Sequence, residues 1–338
     1  MELSGSLKVG DPVTNPLDAL HHFLEEDMKA TNDLIIERLQ SSAPIIPKVA
    51  GHLIKAGGKR IRPLLTLAGV KLFDGDMARA HKLATTIEYI HSATLLHDDV
   101  VDESTHRRGR PSANRLFANK PSILVGDFLF ARAFELMVET ANMRILEILS
   151  KTSRLITEGE IQQISIEHNF ETTQDDYFQV IESKTAALFS AACEVGPVIA
   201  GSDETQIEAM RSYGFNLGMA FQIVDDVLDY KAEQKRLGKT LGDDFREGKF
   251  TLPVIYALEN ANGKETVFWQ TTMIDQDQGP DDLKTAVMLL EKSGSFERCM
   301  TLAESYAAAA VKALEPVAPS LLKQRLIEVA EDSVTRRN

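Results

Sequence analysis

The stretch Ile87–Pro111, IEYIHSATLLHDDVVDESTHRRGRP, runs from an apolar helical pattern through an aspartate cluster into a loop dense in arginine. Its hydrophobic spacing predicts a helix over roughly 77–105. On that helix Asp98 and Asp102 stand four residues apart and share a face, while Asp99 is rotated by about 100° from Asp98. A single DDxxD segment reads first as a solvated acidic helix end. Here Leu95, Leu96, Val100 and Val101 flank the aspartates, so the helix reads as largely buried. Further along, Gln222–Asp229, QIVDDVLD, repeats the arrangement with Asp225, Asp226 and Asp229, again between apolar neighbours. The two copies lie 127 residues apart, from Asp98 to Asp225, too far for a solenoid repeat. Two half-sites facing each other across a helical bundle account for them better.

The rest of the chain is patterned as helix almost throughout. Asn15-Pro16 supplies a cap and a first-turn proline. A helix from Pro44 to Ala56 stops at Gly57-Gly58. Others are expected over roughly 121–139, 142–168, 174–195, 204–231 and 250–260, with two or three shorter ones after Asp281. Period-2 alternation with turn dipeptides is almost absent, which argues against a sheet. The most loop-like stretches are 1–14, 106–121, 231–249 and 261–281. The middle two carry dense charge after long helices, where function tends to sit. No Pro/Gly/Ser-rich linker divides the chain. The expectation is an all-α, single-domain helical bundle over 15–338 with a central cavity between helices, preceded by a flexible segment, 1–14.

Composition narrows the function classes. Of 338 residues, 37 are Lys or Arg and 50 are Asp or Glu, a net charge of −13 that argues against nucleic-acid binding. With 43% apolar and 26% charged residues, the chain is of ordinary globular make-up. Two cysteines, Cys193 and Cys299, cannot form a disulfide framework and suit a reducing compartment. The start, MELSGSLKVGDP, has no signal-peptide pattern. The best apolar run, Ala186–Ala200, is broken by Glu194 and Pro197. A soluble, cytoplasmic protein is expected.

Six carboxylates near a core repel one another and resist ionisation unless cations neutralise them. Hard divalent cations take oxygen ligands, and magnesium typically shares carboxylates with substrate phosphates. The bases complete that reading. Lys59 and Arg62 lie in Gly57–Pro63, GGKRIRP; Arg107 and Arg108 follow the first acidic motif; Lys239 and Lys249 follow the second. In an acidic chain, these cations cluster where the aspartates are, as a metal-bridged and a metal-free diphosphate would require. Arg60, Arg110 and Arg246 read as ordinary surface charge. His91 is two turns before Asp98 on the same face. Lys184-Thr185 interrupts an apolar helix, and a buried lysine needs an anion, here best a phosphate.

Five blocks in order, GGKRIRP, IHSATLLHDDVVDESTHRRGRPSAN, Lys184-Thr185, FQIVDDVLDY and GKTLGDDFREGKFTLP, resemble the trans-isoprenyl diphosphate synthase family. The likeness runs from residue 17 to the C-terminus and is strongest to bacterial octaprenyl, solanesyl and decaprenyl diphosphate synthases. It implies the isoprenoid-synthase type of helical bundle and head-to-tail condensation of isopentenyl diphosphate onto an allylic diphosphate. Farnesyl or geranylgeranyl diphosphate is the implied primer. Asp98, Asp99, Asp102, Asp225, Asp226 and Asp229 would hold three magnesium ions, with Asp244 in support. Lys184, Lys239, Lys249 and Arg107 would bind the allylic diphosphate, and the Thr185 and Gln222 oxygens would face the allylic cation. Lys59, Arg62, His91 and Arg108 would bind isopentenyl diphosphate, and the departing diphosphate would take the final proton. The family is typically homodimeric, with at most peripheral membrane contact for product release.

Product length should depend on what blocks the tunnel below the first acidic motif. Ala93 and Thr94, five and four residues before Asp98, are small where short-chain members carry an aromatic residue. A longer tail should pass, and octaprenyl to decaprenyl diphosphate for a quinone side chain is expected. A class I terpene cyclase would need neither GGKRIRP nor a second DDxxD. A noncatalytic regulatory subunit would have lost aspartates from one motif, and this chain keeps all six.

Overall fold

The computed structural model describes residues 15–107, 109–231 and 241–335. The expectations for 1–14, Arg108 and Lys239 therefore lie outside the described residues. The chain opens with α1, Pro16–Phe23, whose Asn15 side chain accepts from the Asp18 backbone N–H as the cap. Then follow α2 (Glu25–Arg38), α3 (Ile45–Lys55), α4 (Ile61–Leu72) and the 25-residue α5 (Met77–Val101). A two-residue ladder pairs β1 (His106–Arg107) with β2 (Arg110–Pro111). After it come α6 (Ala113–Phe117), α7 (Asn119–Glu139) and α8 (Met143–Ile166).

One long rod follows. It comprises α9 (Gln174–Ile181), a single π-helical turn (Glu182–Ala186) and α10 (Ala187–Ala200), which carries Pro197 within its length. The 28-residue α11 (Glu204–Lys231) bears the second acidic motif. Seven elements close the chain: α12 (Asp243–Arg246), α13 (Leu252–Leu258), α14 (Gly263–Trp269), a second π-turn (Gln270–Ile274), α15 (Asp282–Lys292), α16 (Ser295–Ala313) and α17 (Leu321–Thr335).

The all-α expectation holds, and the long elements fall close to where the apolar period placed them. Two loop expectations do not. In 261–281, Asn262 and Glu265 form a reciprocal capping box that starts α14, and Trp269 buries its end. In 106–121, the β-ladder, α6 and the start of α7 replace an open loop.

Two apolar cores hold the bundle. One lies among α2 to α8 and α10, with Leu64, Ile87 and Leu129 fully buried. The other gathers α11, α13, α15 and α16 around Val254, Trp269 and Phe296. The helices α5, α10 and α11 run through the middle: α5 packs on α4 and α7, α10 on α4 and α11, and α11 on α16. Their facing surfaces enclose the site. No helix among the described residues is long and apolar enough to cross a membrane.

Candidate active site

A cavity of about 650 Å³ lies between α5, α8, the π-turn and α11, within the usual range for small-molecule sites. Asp98 and Asp102 line one wall; Asp225, Asp226 and Asp229 line the other. The two acidic motifs do face each other.

The middle aspartate of each motif behaves differently from its neighbours. Asp99 is fully buried; its Oδ1 accepts from Arg107 Nε at 2.6 Å and its backbone carbonyl from Asn114 Nδ2 at 2.7 Å. Asp226 is also buried, with both oxygens engaged: Tyr177 Oη donates to Oδ2 at 2.6 Å and Gln222 Nε2 to Oδ1 at 2.7 Å. Gln222 Oε1 in turn accepts from Thr185 Oγ1 at 2.8 Å. Of the six aspartates expected as metal ligands, Asp98, Asp102, Asp225, Asp226 and Asp229 line the cavity, and Asp99 does not. The step of about 100° from Asp98 turns Asp99 toward Arg107 and the core. Asp226 lies on the wall with both oxygens already taken by Tyr177 and Gln222.

The electrostatics favour cations. Burial pushes the Asp98 carboxyl up to about 7, with Lys184 opposing and Glu160 and Asp102 reinforcing the shift. Burial likewise lifts Asp226 to about 7 against the bonds from Tyr177 and Gln222. Asp99 is raised by burial despite Arg107, and its Oδ2 is enclosed without a hydrogen-bond partner. Oxygen-only donors under such strain fit hard divalent ions. Among the described residues, no group of three His, Cys, Asp or Glu side chains converges closely enough to hold an ion unaided. Asp98, Asp102, Asp225 and Asp229 would hold ions together with water or phosphate oxygens, the mode magnesium prefers.

The bases sit among these acids. Lys184 rides on the π-turn with its Nζ 2.7 Å from Glu160 Oε2 and 3.0 Å from Gln163 Oε1. Lys249 Nζ lies 2.7 Å from Glu247 Oε2 and 3.4 Å from Asp102 Oδ2. Burial opposes its charge, but Asp102, Glu247 and Asp244 outweigh it and hold the ammonium above its ordinary value. The short helix α12, which carries Asp244, is tied to α11 where the Asp244 N–H donates to Asp229 Oδ2 at 3.1 Å. On the other side, Lys59, Arg62 and His91 also line the cavity. Arg62 Nη1 is 3.4 Å from His91 Nε2, and its guanidinium lies 4.3 Å above the Phe189 ring.

The sequence profile described as polyprenyl synthetase matches residues 43–290. The chain belongs to that family. An octaprenyl diphosphate synthase of Haemophilus influenzae is 39% identical over 320 residues, covering 95% of this chain and 97% of that protein. A polyprenyl synthase from Caulobacter crescentus, solved with calcium and isoprenyl diphosphate, superposes with a TM-score of 0.93 at 47% identity, covering 95% and 98% of the two chains. A decaprenyl diphosphate synthase from Rhodobacter capsulatus gives a TM-score of 0.90 at 50% identity, covering 96% of this chain and all of that one. This member of the polyprenyl synthetase family is accordingly a prenyltransferase, and the comparisons support neither a terpene cyclase nor a regulatory subunit.

Two further expectations are revised in this family member. Arg60 is not ordinary surface charge: it pairs with Glu88 at 2.9 Å, and both side chains are largely buried. Its left-handed φ of 45° turns the chain so that Lys59 and Arg62 both reach the cavity wall. Ala93, expected to face the tunnel, is fully buried in the core and does not line the cavity, whereas Thr94 does. Residues 91, 94, 95, 98 and 102 share the cavity face of α5, and position 93 is turned away from it.

Sequence reasoning also missed four residues that shape the site: Glu88, Glu160, Gln163 and Tyr177. Each stands far along the chain from its partner, Tyr177 49 residues before Asp226, and no local pattern marks them.

Proposed function

We propose that the chain is a long-chain trans-polyprenyl diphosphate synthase, repeatedly condensing isopentenyl diphosphate head to tail onto an allylic diphosphate in a magnesium-dependent reaction. The observation that carries this is the pairing of two opposed carboxylate walls with two separate sets of bases around one cavity. The octaprenyl and decaprenyl names of its relatives support a product of eight to ten isoprene units, suited to a quinone side chain. Farnesyl or geranylgeranyl diphosphate is the proposed primer.

The allylic diphosphate would lie between the walls, its charge shared by Lys184, Lys249 and Arg107, with Lys239 in the same role. Magnesium, proposed as three ions at Asp98, Asp102, Asp225 and Asp229 with Asp244 in support, supplies Lewis-acid stabilisation of the leaving diphosphate. Lys59, Arg62 and His91, joined by Arg108, would orient isopentenyl diphosphate so that its double bond meets C1 of the primer. As the C1–O bond breaks, the new carbon–carbon bond forms, and the Thr185 hydroxyl and Gln222 amide present oxygen dipoles to the developing cation. The departing diphosphate takes the proton lost from isopentenyl. Thr94 marks the side on which the tail extends.

Residues 15–338 would act as one catalytic unit, since both apolar cores contribute to the cavity walls. A homodimer is proposed on the outer face of α7, where Leu124, Phe134 and Val138 are 65%, 41% and 66% exposed. Phe134 and Val138 stand one turn apart on that face, and neighbouring exposed apolar side chains suit an interface. Two buried free cysteines suit the reducing cytoplasm, with peripheral membrane contact at most during product release.

The test is incubation with each primer, labelled isopentenyl diphosphate and magnesium, followed by chromatography of the dephosphorylated products. Products of eight to ten units would support the proposal. Failure to elongate, or arrest at four units, would overturn it.

A further inference from the structure

The π-turn Glu182–Ala186 is an irregularity inside an otherwise α-helical rod, and it carries both Lys184 and Thr185. Such turns are intrinsically less favourable than α-helix and persist where packing holds them, often at functional sites. Two glycines from different helices press on this one. A Cβ on Gly159 of α8 would lie 2.8 Å from Ser183 Cβ and 3.0 Å from the Lys184 backbone nitrogen. A Cβ on Gly218 of α11 would lie 2.7 Å from Ala186 Cα and 3.0 Å from Phe189 Cβ.

Neither glycine has a positive φ, so neither is needed for its own backbone conformation. What each permits is close approach, and each delivers a polar side chain to the turn. Glu160, next to Gly159, meets Lys184 at 2.7 Å. Gln222, one turn beyond Gly218, accepts from Thr185 at 2.8 Å. The separation of α8 and α11 from the turn therefore sets where both side chains stand.

We infer that Gly159 and Gly218 are positioning residues that clamp the π-turn and so aim Lys184 and Thr185 at the allylic diphosphate. The inference rests on the function proposed above and assigns a specific mechanical role within it. A methyl group at either glycine displaces the turn's backbone by a few tenths of an ångström or more, and Lys184 and Thr185 move with it. Isopentenyl diphosphate, bound by Lys59, Arg62 and His91 on a different part of the wall, is spared in Gly159→Ala, whereas Gly218→Ala also presses on Phe189, over whose ring Arg62 lies.

Steady-state kinetics on wild type, Gly159→Ala and Gly218→Ala read the effect. Both variants should lose about tenfold or more in kcat/KM for the primer, because misplacement near 1 Å costs up to ~100-fold. KM for isopentenyl diphosphate should stay near wild type in Gly159→Ala, and in Gly218→Ala it should change less than KM for the primer. Gly196→Ala on α10 is the control for simple loss of packing. Its Cβ would meet the Gly69 carbonyl carbon at 2.5 Å, a contact as tight, but beyond the turn. That variant should lose thermal stability and leave the ratio of the two KM values unchanged.

Adding Ser183→Gly to Gly159→Ala removes the nearest clashing atom and should restore part of the primer affinity. If Gly159→Ala does not fold, this double variant and Gly218→Ala carry the test. Calorimetric titration with inorganic diphosphate and magnesium gives a second readout, expected to be weaker in both clamp variants. A wild type that binds diphosphate but elongates no primer would overturn the proposed function and leave the clamp to be judged by that titration. Folded clamp variants with unchanged primer KM and diphosphate binding, or a matching KM shift in Gly196→Ala, would overturn the clamp.

Discussion

Tyr177→Phe would test whether a hydrogen bond from α9 favours the ionised form of Asp226 on α11. The change deletes one oxygen, keeps the ring in its place and opens no large void. The lost bond is the 2.6 Å contact from Tyr177 Oη to Asp226 Oδ2, between two buried groups. Burial pushes Asp226 up to about 7, and Tyr177 is one of the two groups pulling it down. At pH 8 the folded carboxyl is mostly ionised, and the variant loses a charge-assisted bond of about 1.5–3 kcal/mol. At pH 5 the carboxyl is protonated, and the lost bond is a neutral one of about 0.5–1.5 kcal/mol. The sign follows from linkage. An acid whose folded pKa stands above its unfolded value near ~3.9 binds more protons when folded, so its contribution to stability falls as pH rises from about 4 through about 7. Removing the hydroxyl should deepen that fall and extend it to higher pH. The assay is urea unfolding of metal-free protein in chelator at both pH values. It can follow Trp269, the single tryptophan, which is 1% exposed and shares a core with Tyr177. Equal destabilisation at pH 5 and pH 8 would refute the reasoning.

Three further outcomes are expected. Asp98→Asn and Asp225→Asn should cut turnover by orders of magnitude and raise the magnesium requirement, whereas Asp99→Asn should chiefly weaken primer binding by freeing Arg107; magnesium titrations of the three variants separate these roles. Lys59→Ala should raise KM for isopentenyl diphosphate about ten- to hundredfold, the value of one charge-assisted contact, and a change confined to the primer would mean the two diphosphate sites are reversed. Thr94→Phe should shorten the product while Ala93→Phe overpacks the core at about 1–3 kcal/mol with long products retained. Short products from a well-folded Ala93→Phe, with full-length ones from Thr94→Phe, would contradict the cavity lining.

Much of the site can be read in the sequence because its chemistry is local. Asp98 with Asp102 and Asp225 with Asp229 are each four residues apart, and a helix fixes their common face. Lys59, Arg62 and His91 likewise stand where the residue pattern set them, around one cavity. The capping box at Asn262 and Glu265 was also legible and would have corrected the loop expected at 261–281. Other features leave no such trace. Glu88 against Arg60, Glu160 against Lys184 and Tyr177 against Asp226 join residues 28, 24 and 49 positions apart. Nothing in the spacing of either partner announces the other.

The sequence by itself determined an all-helical chain, two acidic helical half-sites and the basic segments beside them, because periodicity and composition act over a few turns. It also determined that Asp99 lies about 100° around the helix from Asp98. Only the tertiary structure decided which of those directions is the cavity. A helical period fixes the angles between residues on one helix but leaves the helix's rotation against its neighbours undetermined, and that rotation is set by packing with distant segments. So Asp99 and Ala93 turned inward to the core, Asp98 and Thr94 turned to the cavity, and Lys184 took its place on a π-turn that two glycines from other helices hold in shape.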